Sequence, residues 1–147
     1  MGLFMEQNKM ADQVTVYAYV CADLIHVGHK RALEQAKMLG DILIVGVLTD
    51  DAIIAYKRKP IIPFDERLEM VQALRCVDFA VKQTTLDPTE NLMRIQPDIV
   101  VHGDDWGDDF PGAEYMRSIG KKAIRIKYTS GISTTEIIER IKQRYCQ

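Results

Sequence analysis

The chain has 147 residues, 47% of them apolar, and a formal net charge of −2. That suits one compact domain with a real core, and it provides neither the basic footprint of a duplex nucleic-acid binder nor an acidic tail. No apolar run is long enough to span a bilayer, and the three cysteines, Cys21, Cys76 and Cys146, show neither metal spacing nor a disulfide framework.

The opening, MGLFMEQNKMADQ, lacks the basic region and apolar core of a secretory signal, so residues 1–12 read as a flexible polar arm and residues 13–147 as the domain. The scattered thiols suggest a reducing cytoplasm. Val14–Val20 reads as the first strand and Gly28–Leu39 as a helix stopped by Gly40. Ile42–Leu48 is apolar without alternation, as expected of a strand buried on both faces. Thr49 or Asp50 caps a short helix through Tyr56, and a further helix covers Phe64–Leu74 with acidic residues in its first turn. Phe79–Val81 is a short strand, and Asp87-Pro88-Thr89-Glu90 starts another helix. Asp98–Val101 and Ala123–Ile126 are strands, and Ser133-Thr134-Thr135-Glu136 is a capping box opening a last helix, Glu136–Arg144. No repeat or linker interrupts the series.

Strands alternating with helices predict an α/β fold, a parallel sheet with helices on both faces in a single domain. Ligands of such sheets bind beyond the carboxyl ends of the strands. The unusual residues all follow predicted strands, so they converge on one rim.

Four segments stand out there. IHVGH places His26 and His29 around Gly28 at a strand-to-helix turn. A helix start favours Ser, Thr or Asp, so imidazoles are unusual in that place. Glycine admits a close ligand, the helix start offers free N–H groups, and the imidazoles can donate to phosphate oxygens. The same residues also admit a turn with incidental histidines, or a zinc site completed by Cys21 and Asp23. YKRKP is either a solvated loop or a triphosphate grip centred on Lys57, joined by Arg67. GDDWGDDF surrounds Trp106 with carboxylates, as an acidic surface loop or as a site for a base, ribose or cation. YTSGISTTEI sets hydroxyls at a helix start, where Ser133 caps while Thr134 or Thr135 meets a phosphate.

HVGH, GDDW and GISTT, in this order, resemble the HxGH nucleotidyltransferases, specifically the cytidylyltransferase branch that includes glycerol-3-phosphate cytidylyltransferase. The resemblance spans about residues 14–142. VLTDDAIIAYKRKP, QTTLDPTENL, PDIVVHGDDW and YTSGIST further resemble the cytidylyltransferase domains found with phosphoenolpyruvate mutase in phosphonate biosynthesis. Two departures from the glycerol-phosphate pattern agree with this: VCADLIHVGH replaces GTFDxxHxGH, and Tyr128-Thr129 stand where Arg-Thr is usual.

The resemblance implies a Rossmann-like fold and CMP transfer from CTP to a small phosphonate or phosphate acceptor, with release of pyrophosphate. 2-Aminoethylphosphonate or 2-hydroxyethylphosphonate is the favoured acceptor. His26, His29 and Lys57 would be catalytic. Asp23, Gly28, Gly103, Asp104, Trp106, Gly131, Ile132, Ser133 and Thr134 would hold the nucleotide. Arg67, Asp105 and Tyr128 would hold the acceptor, although the missing arginine's phosphate contact does not pass to Tyr128. Mg²⁺ would bridge the phosphates, and a cytoplasmic homodimer is implied, with no nucleic-acid or membrane partner. CDP-glycerol synthesis, ATP-dependent adenylyl transfer and a nucleotide-binding regulatory module without turnover are the alternatives.

Overall fold

A computed structural model describes residues 12–146. The expected N-terminal arm lies, apart from Asp12, outside these residues. The strands are β1 (Thr15–Val20), β2 (Ile42–Leu48), β3 (Phe79–Gln83), β4 (Ile99–Gly103) and β5 (Lys122–Ile126). All neighbouring pairs are parallel, in the order β3-β2-β1-β4-β5. The helices are α1 (Val27–Lys37), α2 (Asp50–Ile54), α3 (Phe64–Gln72), α4 (Thr89–Ile95), α5 (Ala113–Ser118) and α6 (Thr134–Tyr145). A 3-10 turn, Asp104–Asp109, follows β4 directly.

The period-2 rule sorts the strand residues between two cores. Val16 and Ala18 of β1, Leu43, Val45 and Val47 of β2, and Ile99 and Val101 of β4 pack with Leu33 and Ala36 of α1 and Val71 of α3. Tyr17, Tyr19, Ile44, Leu48 and Val100 face the other way, toward Ile53 of α2, Leu92 and Ile95 of α4, and Met116 of α5. The sheet is thus covered on both faces, as expected for a parallel sheet. Gly46 in β2 leaves room for a buried polar cluster, because a Cβ there would overlap the Tyr17 hydroxyl and the Gln83 amide.

Two outcomes differ from the sequence reading. Strands β3 and β4 each run two residues further than expected, carrying Lys82-Gln83 and His102-Gly103 into the sheet. Helix α5 was not expected. Its six residues are too few for helical periodicity to stand out, and its start at Gly112 uses a left-handed backbone (φ 94°) rather than a capping side chain.

The topology places the ligand crevice. Strand β1 is central, its connection passing one way to β2 and β3 while β4 and β5 lie on the other side. The carboxyl ends of β1 and β4 therefore flank the switch point where such sheets bind ligands.

Candidate active site

A cavity of about 680 Å³ opens at that point. Its walls come from the segments after β1, β2, β4 and β5, with contributions from α1 and the start of α6. Sequence-distant residues meet here because every connection re-enters the sheet in the same direction.

The β1–α1 loop is tightly specified. Ala22 (φ 59°) and Leu24 (φ 50°) adopt left-handed backbone, which costs on the order of 1 kcal/mol or more for a residue with a Cβ. Between them Asp23, 8% exposed, accepts the Ile61 and Ile62 N–H groups, each at 2.9 Å. Asp23 is thus a loop anchor whose carboxylate oxygens already hold backbone donors. That pins the loop before α3 beneath the site.

Both histidines cap α1. The Gly28 N–H donates to His26 Nδ1 at 3.0 Å, and the His26 N–H donates to His29 Nδ1 at 3.1 Å. This reciprocal arrangement is a capping box built from imidazoles. It answers why histidines stand where Ser or Asp is usual: the helix start uses them structurally. It also fixes their chemistry. An Nδ1 that accepts a backbone N–H carries no proton, so in the neutral ring the proton sits on Nε2. Both rings therefore have an N–H donor left for a ligand, and both line the cavity. Their centroids are 3.9 Å apart. Gly28 is required by the same packing, since a Cβ there would meet His26 Cε1 at 2.8 Å and Ile132 Cγ2 at 3.3 Å.

The rings stay neutral near pH 7. Burial lowers the pKa of His26. His29 is pushed down to about 4 by burial, His26 and Lys57, against the opposing pull of Asp23. Unfolded His29 titrates near 6.5, so between about 6.5 and 4 the unfolded chain binds the extra proton. The stability this group contributes is therefore full above pH 6.5 and is lost as pH falls toward 4, at ~1.4 kcal/mol per unit at most. Urea unfolding at steps from pH 7.5 to 4.5 should show that decline, and His29→Ala should flatten it. An unchanged slope in the variant would place the decline on other groups.

This histidine-bearing strand-to-helix turn, set among GDDW and GISTT at one sheet edge, agrees with the comparison with known proteins. A family model described as cytidylyltransferase-like matches residues 17–140. The chain belongs to the cytidylyltransferase-like family. It is 40% identical over 136 residues to an ethanolamine-phosphate cytidylyltransferase of Arabidopsis thaliana, covering 87% of this chain and 32% of that one. It is 36% identical over 146 residues to the bifunctional protein HldE of Syntrophotalea carbinolica, covering 97% of this chain and 30% of that one. The chain thus spans about a third of the length of these curated relatives. Among solved structures it is similar to a lipopolysaccharide core biosynthesis protein from Thermoplasma volcanium, with TM-score 0.67 and 28% identity over 80% of this chain and 97% of that one. A pantoate-beta-alanine ligase from Francisella tularensis shares the fold, with TM-score 0.62 and 13% identity over 99% of this chain and 76% of that one.

Most of the residues singled out by sequence do meet at this cavity of the cytidylyltransferase-like domain. Asp23, His26, Gly28, His29, Lys57, Asp105, Trp106, Tyr128, Gly131, Ile132, Ser133 and Thr134 all line it. Arg67 does not, and its expected role in holding the acceptor is corrected. Its side chain is 0% exposed, Nε donates to Ile62 O, and Nη1 donates to Cys21 O and Leu48 O. Nη2 pairs with Asp50 at 2.7 Å. Arg67 clamps the ends of β1 and β2 beneath the site.

Gly103 and Asp104 are also outside the cavity lining. Gly103 works indirectly: a Cβ there would overlap the Tyr128 ring, so the glycine seats that tyrosine. Asp104 is exposed. The carboxylates of this loop separate by direction. Asp108 pairs with Arg125 at 2.9 Å and Asp109 with Arg117 at 3.1 Å, while Asp105 lines the cavity.

At α6, Ser133 Oγ accepts the Glu136 N–H at 3.1 Å, confirming the cap. The Thr134 hydroxyl donates to Asp23 O at 2.8 Å, which ties the last helix to the first loop. Of the two threonines offered by sequence, Thr135 is therefore the one on the cavity wall without this tie. The zinc reading does not fit. Cys21 Sγ meets the Tyr56 hydroxyl at 3.0 Å, Asp23 holds backbone amides, and both imidazole Nδ1 atoms hold N–H donors.

His102 was missed. It lies on the cavity wall, its ring stacked on Tyr19 at 4.4 Å and 6°. The extension of β4 by two residues carries it there, on the same sheet face as Tyr19. The sequence signal was weak: a lone histidine at a strand end.

Proposed function

We propose that this domain transfers CMP from CTP to a small phosphonate or phosphate acceptor. An acceptor oxygen attacks the α-phosphorus, a new P–O bond forms, the bond to the bridging oxygen breaks, and pyrophosphate leaves with that electron pair. The acceptor supplies the nucleophile, so the domain's task is positioning and charge stabilisation. The observation that carries this reading is the imidazole pair, each ring locked through Nδ1 and each left with an Nε2–H donor in one cavity. Such fixed donors favour an oxygen that gains negative charge as the reaction proceeds.

Lys57 adds a positive charge on a flexible stem at the cavity wall. Gly131 adopts left-handed backbone (φ 77°), and the turn leads into the α6 start, whose free N–H groups and Thr135 suit the outer phosphates. Trp106, 45% exposed, offers an indole face to the nucleotide.

Among the described residues, no group of three or more His, Cys, Asp or Glu is placed to hold a metal ion. That does not fit a resident metal. It does fit Mg²⁺ arriving on the triphosphate, since this ion keeps its waters and uses few protein oxygens.

An aminoethyl acceptor is supported by Asp105 on the cavity wall and by similarity to a relative named for ethanolamine phosphate. The preference for a phosphonate rests on the resemblance of TLDPTENL and AYKRKP to the phosphonate-pathway domains. A reducing, cytoplasmic setting and a homodimer complete the reading. The described cysteines are free, and among the described residues no helix is long and apolar enough to cross a membrane.

Pyrophosphate release measured with CTP, ATP, GTP and UTP tests the transfer. CTP should lead strongly, and equal rates with ATP would replace this reading with adenylyl transfer. At fixed CTP, 2-aminoethylphosphonate and 2-hydroxyethylphosphonate should exceed ethanolamine phosphate and glycerol 3-phosphate in kcat/KM. A tenfold lead by a polyol phosphate, about 1.4 kcal/mol in transition-state binding, would overturn the phosphonate assignment and leave cytidylyl transfer standing.

A further inference from the structure

We infer that His102 reads the end of the acceptor remote from phosphorus, accepting a hydrogen bond from a primary ammonium group and so excluding a trimethylated one. This deepens the proposed transfer and rests on it.

The geometry constrains what His102 can offer. One ring face is covered by Tyr19, stacked at 4.4 Å and 6°, and Phe110 sits at 5.7 Å, tilted by 46°. Tyr19 is itself held, its hydroxyl donating to Pro111 O at 2.7 Å. One face is closed and the ring still lines the cavity. Among the described residues neither ring nitrogen makes a hydrogen bond, so both remain available to a ligand.

The neighbouring wall suits an ammonium group. Asp105 supplies a carboxylate, and Tyr56 and Tyr128 supply phenol oxygens. Burial, reinforced by negative neighbours, raises the pKa of both phenols, so they stay protonated and polar. Burial also lowers the pKa of His102, leaving it neutral with a lone pair to offer. A primary ammonium presents three N–H donors, and the imidazole, a phenol oxygen and the carboxylate provide three acceptors. A trimethylammonium group presents no N–H donor, so these acceptors would be desolvated without a partner.

His26 and His29 belong to the β1–α1 turn and the start of α1, and Thr135 to the first turn of α6, whereas His102 sits on β4.

The test compares kcat/KM for 2-aminoethylphosphonate and its N,N,N-trimethyl analogue at saturating CTP. It uses the unaltered protein, His102→Phe and His102→Gln. The phenylalanine keeps an aromatic face against Tyr19 and removes both nitrogens, while the glutamine restores an acceptor. The unaltered protein should prefer the primary amine by at least ~10-fold. His102→Phe should cut that ratio by ~10-fold or more with the KM for CTP essentially unchanged, and His102→Gln should recover part of it. A thermal melt of each variant reports folding, and equal use of the two acceptors by the unaltered protein decides against the inference even if a variant is unstable. Equal use of the two acceptors by the unaltered protein, or an unchanged ratio in folded His102→Phe, would overturn the inference. So would a parallel rise in the KM for CTP, which would assign His102 to the nucleotide. A lead by glycerol 3-phosphate defeats this inference together with the phosphonate preference and leaves cytidylyl transfer standing, whereas no pyrophosphate release from CTP with any acceptor defeats the proposed transfer itself.

Discussion

Replacing His29 with alanine is expected to lower the turnover number by ~10²–10³ and to change the KM for CTP far less. The loss has two sources that can be separated. His29 Nε2–H is a donor to developing charge, and His29 Nδ1 accepts the His26 N–H at 3.1 Å. Alanine removes both. Glutamine at this position keeps a side chain able to reach back to the cap, as in an ordinary capping box. His29→Gln should therefore retain most of the thermal stability while its turnover number stays near that of His29→Ala. Steady-state kinetics and a thermal melt on the two variants check this. Full turnover in either variant would remove the imidazole pair from the chemistry. A turnover loss confined to the alanine variant would make His29 a cap and nothing more.

Arg67→Ala should destabilise the fold by ~3–5 kcal/mol, because it removes a fully buried cation and leaves its partners behind. The carbonyls of Cys21, Leu48 and Ile62 lose a donor, and Asp50 loses its charge partner. For a domain of this size that corresponds to a melting-temperature drop of roughly 10 °C. Arg67→Lys should recover little, since a single ammonium cannot span carbonyls on separate segments as the planar fork does. Chemical denaturation and a melt measure the loss. If the melt is unchanged while kcat/KM for the acceptor collapses, Arg67 serves the acceptor after all. His29 lies on the cavity wall, whereas Arg67 lies beneath it and supports the loops that carry the wall.

Some parts of this molecule are governed by local chemistry and were legible without coordinates. The β1 and β2 runs are apolar because both sheet faces are covered, and Ser133 precedes its helix because a hydroxyl suits an N-cap. HVGH was visible as an oddity because histidine is rarely needed at a helix start. The alternation of strands with helices, and the placement of each odd segment after a strand, follow from the same local signals. Together they gave the α/β class and the single ligand rim.

Other features depend on which distant segments become neighbours, and no local signal encodes that. The strand order β3-β2-β1-β4-β5 decides that the loops after β1, β4 and β5 share a cavity. Arg67 reads from sequence as a charge near a basic loop, yet the packing of α3 against the sheet turns it inward onto carbonyls of two strand ends. Thr134 and Thr135 are indistinguishable in GISTT until the approach of Asp23 O occupies the first hydroxyl. The carboxylates of GDDWGDDF look equivalent until Arg117 and Arg125 draw Asp109 and Asp108 away from the cavity and leave Asp105 on its wall. His102 became part of the site only through the added length of β4 and its pairing beside β1. Periodicity and caps act within a few residues, so the sequence by itself determined the elements and their order along the chain. The destinations of the charged and polar side chains follow from contacts between residues tens of positions apart, and those only the tertiary structure decided.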